Sequence, residues 1–257
     1  MKRVIAFLSA IVLLTPLLTF SVCAAENSWY IKHNTEKAQP EIEKTTEKLL
    51  EQYDAYYVDK AKKDSTDKVI YLTFDAGYAN ENVNKVLDIL KQEEIKGAFF
   101  ILSHLIESHP EIVSRIADDG HLLCNHTHKH KDPCKLTEEE LTNEIKTLEM
   151  QYKNAMGKDL SLYFRPPQGR YDQKTLETAQ KMGYKTVFWS LAYVDWDDSI
   201  APSDEKAKAL LERRTHNGAI VLLHPTSDIN ARILKDMIAY WKAQGYRFGS
   251  LDELTEK

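Results

Sequence analysis

The sequence predicts an α/β fold built from parallel strand–helix–strand units. Two observations carry this prediction. Short β-branched or aromatic runs alternate with amphipathic helical stretches along the chain, and some of those runs are apolar on both faces. A run such as Ala219-Ile-Val-Leu-Leu223 suits a sheet covered by helices, not one open to water. At 257 residues, 43% hydrophobic and 28% charged, the chain is too apolar to be disordered and long enough for one large domain or two small ones. Its formal net charge of −5 comes without any basic tract, which argues against nucleic acid and anionic membranes as partners.

Residues 1–25 predict a targeting segment. Lys2 and Arg3 precede an apolar run from Val4 to Phe20, and the small residues Ser21, Ala24 and Ala25 follow, which is the form of a secretory signal peptide. Pro16 disfavours a regular spanning helix; an uncleaved anchor of about 20 residues is the other reading. Cys23 would suit lipidation, but Val22 is bulkier than the residue such sites place before their cysteine. The expected location is extracytoplasmic, either secreted or anchored at the outer face of the cytoplasmic membrane. Two cysteines follow this segment, Cys124 and Cys134, and an oxidising compartment would permit a disulfide between them without requiring one.

Residues 26–66 predict an N-terminal extension packed on the main domain. It carries Trp29, Tyr30, Tyr53, Tyr56 and Tyr57, with a helix over 40–52. Strands are then predicted over 68–75, 97–102, 121–126, 162–166, 186–194, 219–224 and 246–251. Helices fall between them near 82–93, 110–119, 137–156, 173–182, 203–214 and 230–244. Thr137 with Glu140 forms a capping box, Asp172 is an N-cap, and Pro110 suits a first helical turn. Strands alternating with helices in this way make either a barrel or an open doubly wound sheet. In both, a site belongs at the carboxyl edge of the strands.

Polar residues stand at that edge. Asp75 closes the first run and is followed by Ala76 and Gly77; His126 closes the third, Arg165 the fourth, Asp195 the fifth and His224 the sixth. A single such group is usually structural, but five on five strand ends converge on one rim, as catalytic groups do.

The same segments carry a resemblance. Thr73-Phe-Asp-Ala-Gly77, His126-Thr-His-Lys-His130, Arg165-Pro-Pro-Gln-Gly169, Asp195-Trp196 and Leu222-Leu-His224 resemble, in order, the motifs of the polysaccharide deacetylases, carbohydrate esterase family 4 with its NodB-like domain. Residues 74–80, 187–196 and 223–230, with Ser28-Trp29 in the extension, are similar to the branch that deacetylates muramic acid on the way to muramic δ-lactam in spore cortex. The resemblance implies a distorted (β/α)7-type barrel over 67–257, after the short extension. It implies a substrate in the peptidoglycan glycan strand, with an upstream amidase removing stem peptides, and a location at the forespore envelope.

It also implies roles. Asp75 would be the general base, held ionised by Arg165, and His224 the general acid, its tautomer fixed by Asp195. His126 and His130 would bind a divalent metal, zinc by preference. The backbone N–H of Gln168 would meet the oxyanion, since Pro166 and Pro167 have none, and Trp196 would stack on sugar. Ala76 departs from the pattern. The family has a second carboxylate there as third metal ligand, and the cortex branch an asparagine, so the implied metal site is weak or incomplete. His128 would share a face with His126 and His130 only on a continuous strand; the family pattern puts it in a turn. His33, His104, His109, His121 and His216 have no motif context and read as structural or solvated. Two other functions stay open: deacetylation of N-acetylglucosamine or chitin-like glycans, and an inactive glycan-binding member, to which Ala76 points.

Overall fold

The computed structural model describes residues 27–32 and 37–256; the predicted leader and His33 lie outside them. The extension contains β1 (Asn27–Ser28), α1 (Lys44–Gln52) and β2 (Ala55–Tyr56). The alternating part begins β3 (Val69–Ala76), α2 (Glu81–Gln92), β4 (Ala98–Ile101), α3 (Ser103–Ser108), α4 (Pro110–Asp118) and β5 (Leu122–Asn125). It continues α5 (Glu138–Met156), β6 (Ser161–Phe164), β7 (Arg170–Tyr171), α6 (Gln173–Lys181) and β8 (Lys185–Val187). It ends with α7 (Asp204–Arg214), β9 (Ala219–Leu223), α8 (Asp228–Ala243), β10 (Arg247–Phe248) and α9 (Leu251–Thr255).

The predicted helix starts form as their caps dictate. Thr137 and Glu140 make a reciprocal capping box on α5, the Asp172 side chain accepts from Thr175 N at the start of α6, and Pro110 occupies the first turn of α4. Other elements depart from the expected pattern, among them the short strands β1, β2 and β7, which it lacks. The run over 186–194 pairs as a strand only to Val187, and the run over 246–251 stops at Phe248 because Ser250 turns the chain into α9 as its N-cap. Helix α3 has no counterpart in the predicted pattern; it is a short turn of chain that buries Leu105 and Ile106.

The strands pair in parallel in the order β9, β3, β4, β5, β6, β8, with β10 beside the start of β3 and β2 beside β8. Beyond β8 the chain returns to the other edge of β9. Leu191 bridges Val221, and the backbone N–H groups of Ser190 and Leu191 donate to the Ile220 carbonyl. That contact closes the sheet into a barrel, distorted by a register shift between β5 and β6 at Cys124 and Asn125. The closed alternative is therefore the observed one, a (β/α)7-type fold.

Side-chain alternation divides the apolar residues into two layers. From β3, Ile70, Leu72, Phe74 and Ala76 join the cluster under the helices, with Val83, Leu105, Ile233 and Trp241. Val69 and Tyr71 instead enter the barrel interior with Ala98, Phe100, Cys124, Tyr163, Val187 and Ile220. Leu251 and Leu254 of α9 belong to that interior cluster. The next inward positions on β3 are Thr73 and Asp75, so the polar site begins where the apolar interior ends. Trp29, Tyr53 and Tyr57 pack with Tyr171, Leu176 and Phe188 in a further cluster. Cys124 is buried on β5, and Cys134 sits in a 3-10 turn over Pro133–Lys135; the two are not joined by a disulfide.

Candidate active site

Inward alternation on β3 brings Thr73 and Asp75 to the same guanidinium. Arg165, which follows β6, is fully buried and lies with its guanidinium carbon 4.1 Å from the centre of the Phe100 ring. Its Nη1 donates to Asp75 Oδ1 at 2.8 Å and its Nη2 to Thr73 Oγ1 at 2.8 Å. The Nε group donates to the Val187 carbonyl at 2.9 Å, and Nη2 also to the Phe188 carbonyl at 3.2 Å. A charge this deep is tolerated because its donors are matched by acceptors. Asp75 keeps 11% of its side chain exposed. Burial works against its ionisation, but Arg165, His126 and His224 outweigh burial and hold the carboxyl below the ordinary carboxylate range.

His126 follows β5. Its Nδ1 donates to the Arg165 carbonyl at 2.8 Å, so the neutral ring carries its proton there and turns the Nε2 lone pair toward Asp75 Oδ2, 3.6 Å away. Burial pushes this imidazole down to about 4, and it lowers His130 as well. The His126 and His130 rings are 5.0 Å apart, brought together by a turn and not by a strand. Thr127 and His130 have φ of 77° and 55°, which ends the alternation after His126. Asn125 Oδ1 accepts from Thr127 N, Thr127 Oγ1 from His130 N, and Glu144 of α5 from Lys129 N. His128 donates its backbone N–H to the Glu144 carbonyl and shares no strand face with its neighbours.

The implied metal finds two imidazoles and no complete set. Among the described residues no group of three His, Cys, Asp or Glu side chains is arranged to hold a metal ion. Ala76, fully buried, contributes a methyl group to the layer under the helices, on the opposite side of β3 from Asp75. The residues present therefore do not fit a three-ligand site.

His224 follows β9, whose Leu223 is in register with Phe74 of β3. It therefore lies on the strand next to Asp75, not across the barrel. Its Nδ1 donates to Asp195 Oδ1 and its backbone N–H to Asp195 Oδ2, both at 2.8 Å. Burial opposes protonation of this ring, but Asp195 and then Asp75 raise its pKa above the ordinary value. With 24% of the side chain exposed, Nε2 is left to act outward. Trp196, 62% exposed, has its ring 6.2 Å from that of His224. Gln168 sits exposed in the turn over Pro167–Gly169 with φ 57° and ψ 12°, and Gly169 beside it has φ 64°.

Two further residues complete this network; both lie in the segments similar to the cortex branch, which assigned them no role. Asn230, in the first turn of α8, donates to Asp195 Oδ2 at 2.6 Å and to the His224 carbonyl at 3.0 Å. Tyr193 donates to Asn230 Oδ1 at 2.5 Å. The other described histidines stand apart from this network. His104 lies against Tyr78, His109 against Glu111, His121 accepts from Gly97 N, and buried His216 bonds Ser190 Oγ at 2.9 Å.

Comparison with known proteins gives the family. A family model described as polysaccharide deacetylase matches residues 62–187. The peptidoglycan-N-acetylmuramic acid deacetylase PdaA of Bacillus subtilis is 37% identical over 227 residues, 88% of this chain and 85% of that protein. Its solved structure superposes with a TM-score of 0.84 at 36% identity, covering 89% of this chain and 96% of that one. A peptidoglycan-N-acetylglucosamine deacetylase of Bacillus cereus is 33% identical, covering 73% of this chain and 68% of that protein. A carbohydrate esterase family 4 pseudoenzyme from Bacillus anthracis has a TM-score of 0.71 at 25% identity, over 79% of this chain and 69% of that one. With relatives matched over most of their length, the chain belongs to the polysaccharide deacetylases, the amide-hydrolysing enzymes of carbohydrate esterase family 4.

Proposed function

We propose that this protein removes the acetyl group from N-acetylmuramic acid in the glycan strands of peptidoglycan. The observation that carries the reading is two ion pairs, Asp75 with Arg165 and His224 with Asp195, whose Asp75 and His224 stand at the ends of adjacent strands. A carboxyl whose pKa is lowered and an imidazole whose pKa is raised are biased toward the roles of base and acid. Asp75 takes a proton from water as the water oxygen attacks the acetamide carbonyl. The Gln168 N–H receives the developing oxyanion. His224 gives its proton to the nitrogen as the C–N bond breaks, leaving acetate and a free amine. Trp196 offers an exposed aromatic face beside His224 for a sugar ring.

The deacetylases of this family depend on a metal. His126 and His130 are the donors this chain would turn toward zinc, with Ala76 leaving the set short of a ligand. A glycan-strand substrate requires export, which the leader-like run before Ala25 supports. Motif wording shared with the cortex branch, together with the identity to PdaA, supports muramic acid as the sugar and sporulation as the setting. Ala76 alone favours an inactive glycan-binding member. Retention of the base, the acid and both their partners weighs against it, because binding needs no acid–base pair.

Mass spectrometry of peptidoglycan digests treated with the purified protein tests the reading. Loss of one acetyl mass from muramic acid residues lacking stem peptides is expected. Loss from glucosamine instead would select the second sugar, and no loss from either would return the inactive reading.

A further inference from the structure

The extension reaches the site through one residue. Trp29 is 6% exposed, and both of its N–H groups go to carbonyls of segments that build the rim. Its backbone N–H donates to the Gly169 carbonyl at 2.8 Å, and its indole Nε1 to the Trp189 carbonyl at 2.9 Å, 160 residues away in sequence. Just before it, β1 pairs antiparallel with β7, Asn27 opposite Tyr171 and Ser28 opposite Arg170. The indole stacks on Phe188, ring centres 4.6 Å apart and planes at 24°.

Those contacts coincide with two demanding pieces of backbone. The first is the turn in which Gln168 and Gly169 both adopt left-handed φ, 57° and 64°. Such a conformation at a non-glycine residue is unfavourable and persists only where its surroundings enforce it. Within the turn the Gly169 N–H donates to the Pro166 carbonyl, while Trp29 takes the Gly169 carbonyl. The fit is close. A Cβ on Gly169 would stand 3.0 Å from Trp29 Cβ and 2.8 Å from the Trp189 ring. The second piece is 187–189, whose carbonyls at Val187 and Phe188 accept from Arg165. Trp29 presses on the Phe188 ring and bonds the very next carbonyl.

We infer that Asn27–Trp29 is a working part of the active site and that Trp29 is a positioning residue, which fixes the Gln168 turn and the carbonyls that orient Arg165. Trp29 touches neither substrate nor reacting atoms. It acts through the Gln168 N–H on one side and through the Arg165–Asp75 pair on the other. The inference rests on the deacetylase reading for its kinetic consequence, but not for its structural one.

The test compares Trp29→Ala and Trp29→Phe in the otherwise unchanged chain. Misplacing catalytic groups by about 1 Å costs on the order of 10²-fold in rate. Trp29→Ala is expected to lower kcat for deacetylation by that order with KM changed less than about twofold. Trp29→Phe, which keeps a stacked ring but lacks the indole donor, should fall between Trp29→Ala and wild type. Hydrogen exchange supplies the second readout. Amides over 165–171 should exchange faster in Trp29→Ala while β3 and β9 keep wild-type protection. A folded Trp29→Ala with wild-type kcat overturns the inference, as does exchange that rises equally in every strand. Should Trp29→Ala fail to fold, Trp29→Phe decides on the same two measurements. Should wild type deacetylate nothing, the exchange pattern still decides, and the failure then belongs to the functional reading alone.

Discussion

Two histidines flank Asp75 and are held in opposite states. His126 gives its Nδ1 proton to a backbone carbonyl, and burial takes it down to about 4. His224 gives its Nδ1 proton to the Asp195 carboxylate, and against similar burial its pKa rises. The residue type and the neighbouring Asp75 are shared; the partner of the far nitrogen differs. A neutral acceptor keeps the imidazole a lone-pair donor, and a charged one keeps it an acid. The division of labour around Asp75 is thus written in what lies behind each ring.

The strongest way to break this comparison is to remove the base or the acid. Asp75→Asn and His224→Ala are each expected to lower deacetylation by on the order of 10²–10⁴-fold. Acetate release gives the rate, and circular dichroism shows whether the barrel survives. Wild-type turnover in either folded variant would end the assignment.

Ala76→Asp probes the His126 side. The outward face of β3 puts the new carboxyl among apolar side chains, away from Asp75. An unpaired buried carboxylate is expected to destabilise the fold by about 3 kcal/mol or more. Its pKa rises in the folded state, so the loss grows as pH climbs through and above the ordinary carboxylate range, where the unfolded chain ionises freely. Thermal melts at two pH values, with and without zinc, check this. A zinc-dependent recovery of the melting temperature would mean that the carboxylate swings round to His126 and His130.

Asp195→Asn alters the far side of His224. The raised pKa of His224 keeps it protonated above its ordinary value of 6.5. Activity that needs the acid should therefore extend above that value and decline as pH rises through the folded pKa. An amide in place of the carboxylate moves that decline to lower pH, and moving it by one pH unit lowers the rate on the alkaline side about tenfold. The same linkage acts on stability. The pair stabilises the fold fully below the unfolded pKa, and that contribution is lost as pH rises through the folded one. A pH–rate profile of Asp195→Asn superimposable on wild type would contradict the account.

The fold is legible where local chemistry decides it. Apolar alternation marks β3 and β9, capping residues mark α5 and α6, and polar residues after strands mark the rim. Contacts distant in sequence are not legible. Closure of the barrel by Leu191 on Val221 depends on backbone hydrogen bonds that no residue pattern announces. The same holds for Trp29 on Trp189 and for the pairing of β1 with β7. The run after Val187 reads as strand because its apolar residues are buried; its backbone instead feeds Arg165 and the seam. The turn that brings His126 and His130 together is legible only through the family pattern; the left-handed Thr127 and His130 show how it is made.

The smallest expected effect concerns Asn230, and its sign is the sharpest test of how His224 is controlled. Asn230 donates to Asp195 Oδ2, the oxygen that also accepts from His224 N. Asn230→Ala withdraws one donor from the carboxylate and leaves its charge less compensated. Asp195 then attracts the His224 proton more strongly, so the alkaline limb should move upward, opposite to Asp195→Asn. The carboxylate is also less firmly oriented, and kcat should fall by a few-fold, roughly the worth of 1 kcal/mol. Tyr193 loses the acceptor for a buried hydroxyl, which is expected to destabilise the fold by about 1–3 kcal/mol. Adding Tyr193→Phe removes that stranded hydroxyl. The double variant should regain stability while keeping the displaced pH limb, because the two consequences travel through different atoms of Asn230. A limb that moves downward in Asn230→Ala would mean that Asn230 holds the carboxylate in place more than it tempers its charge.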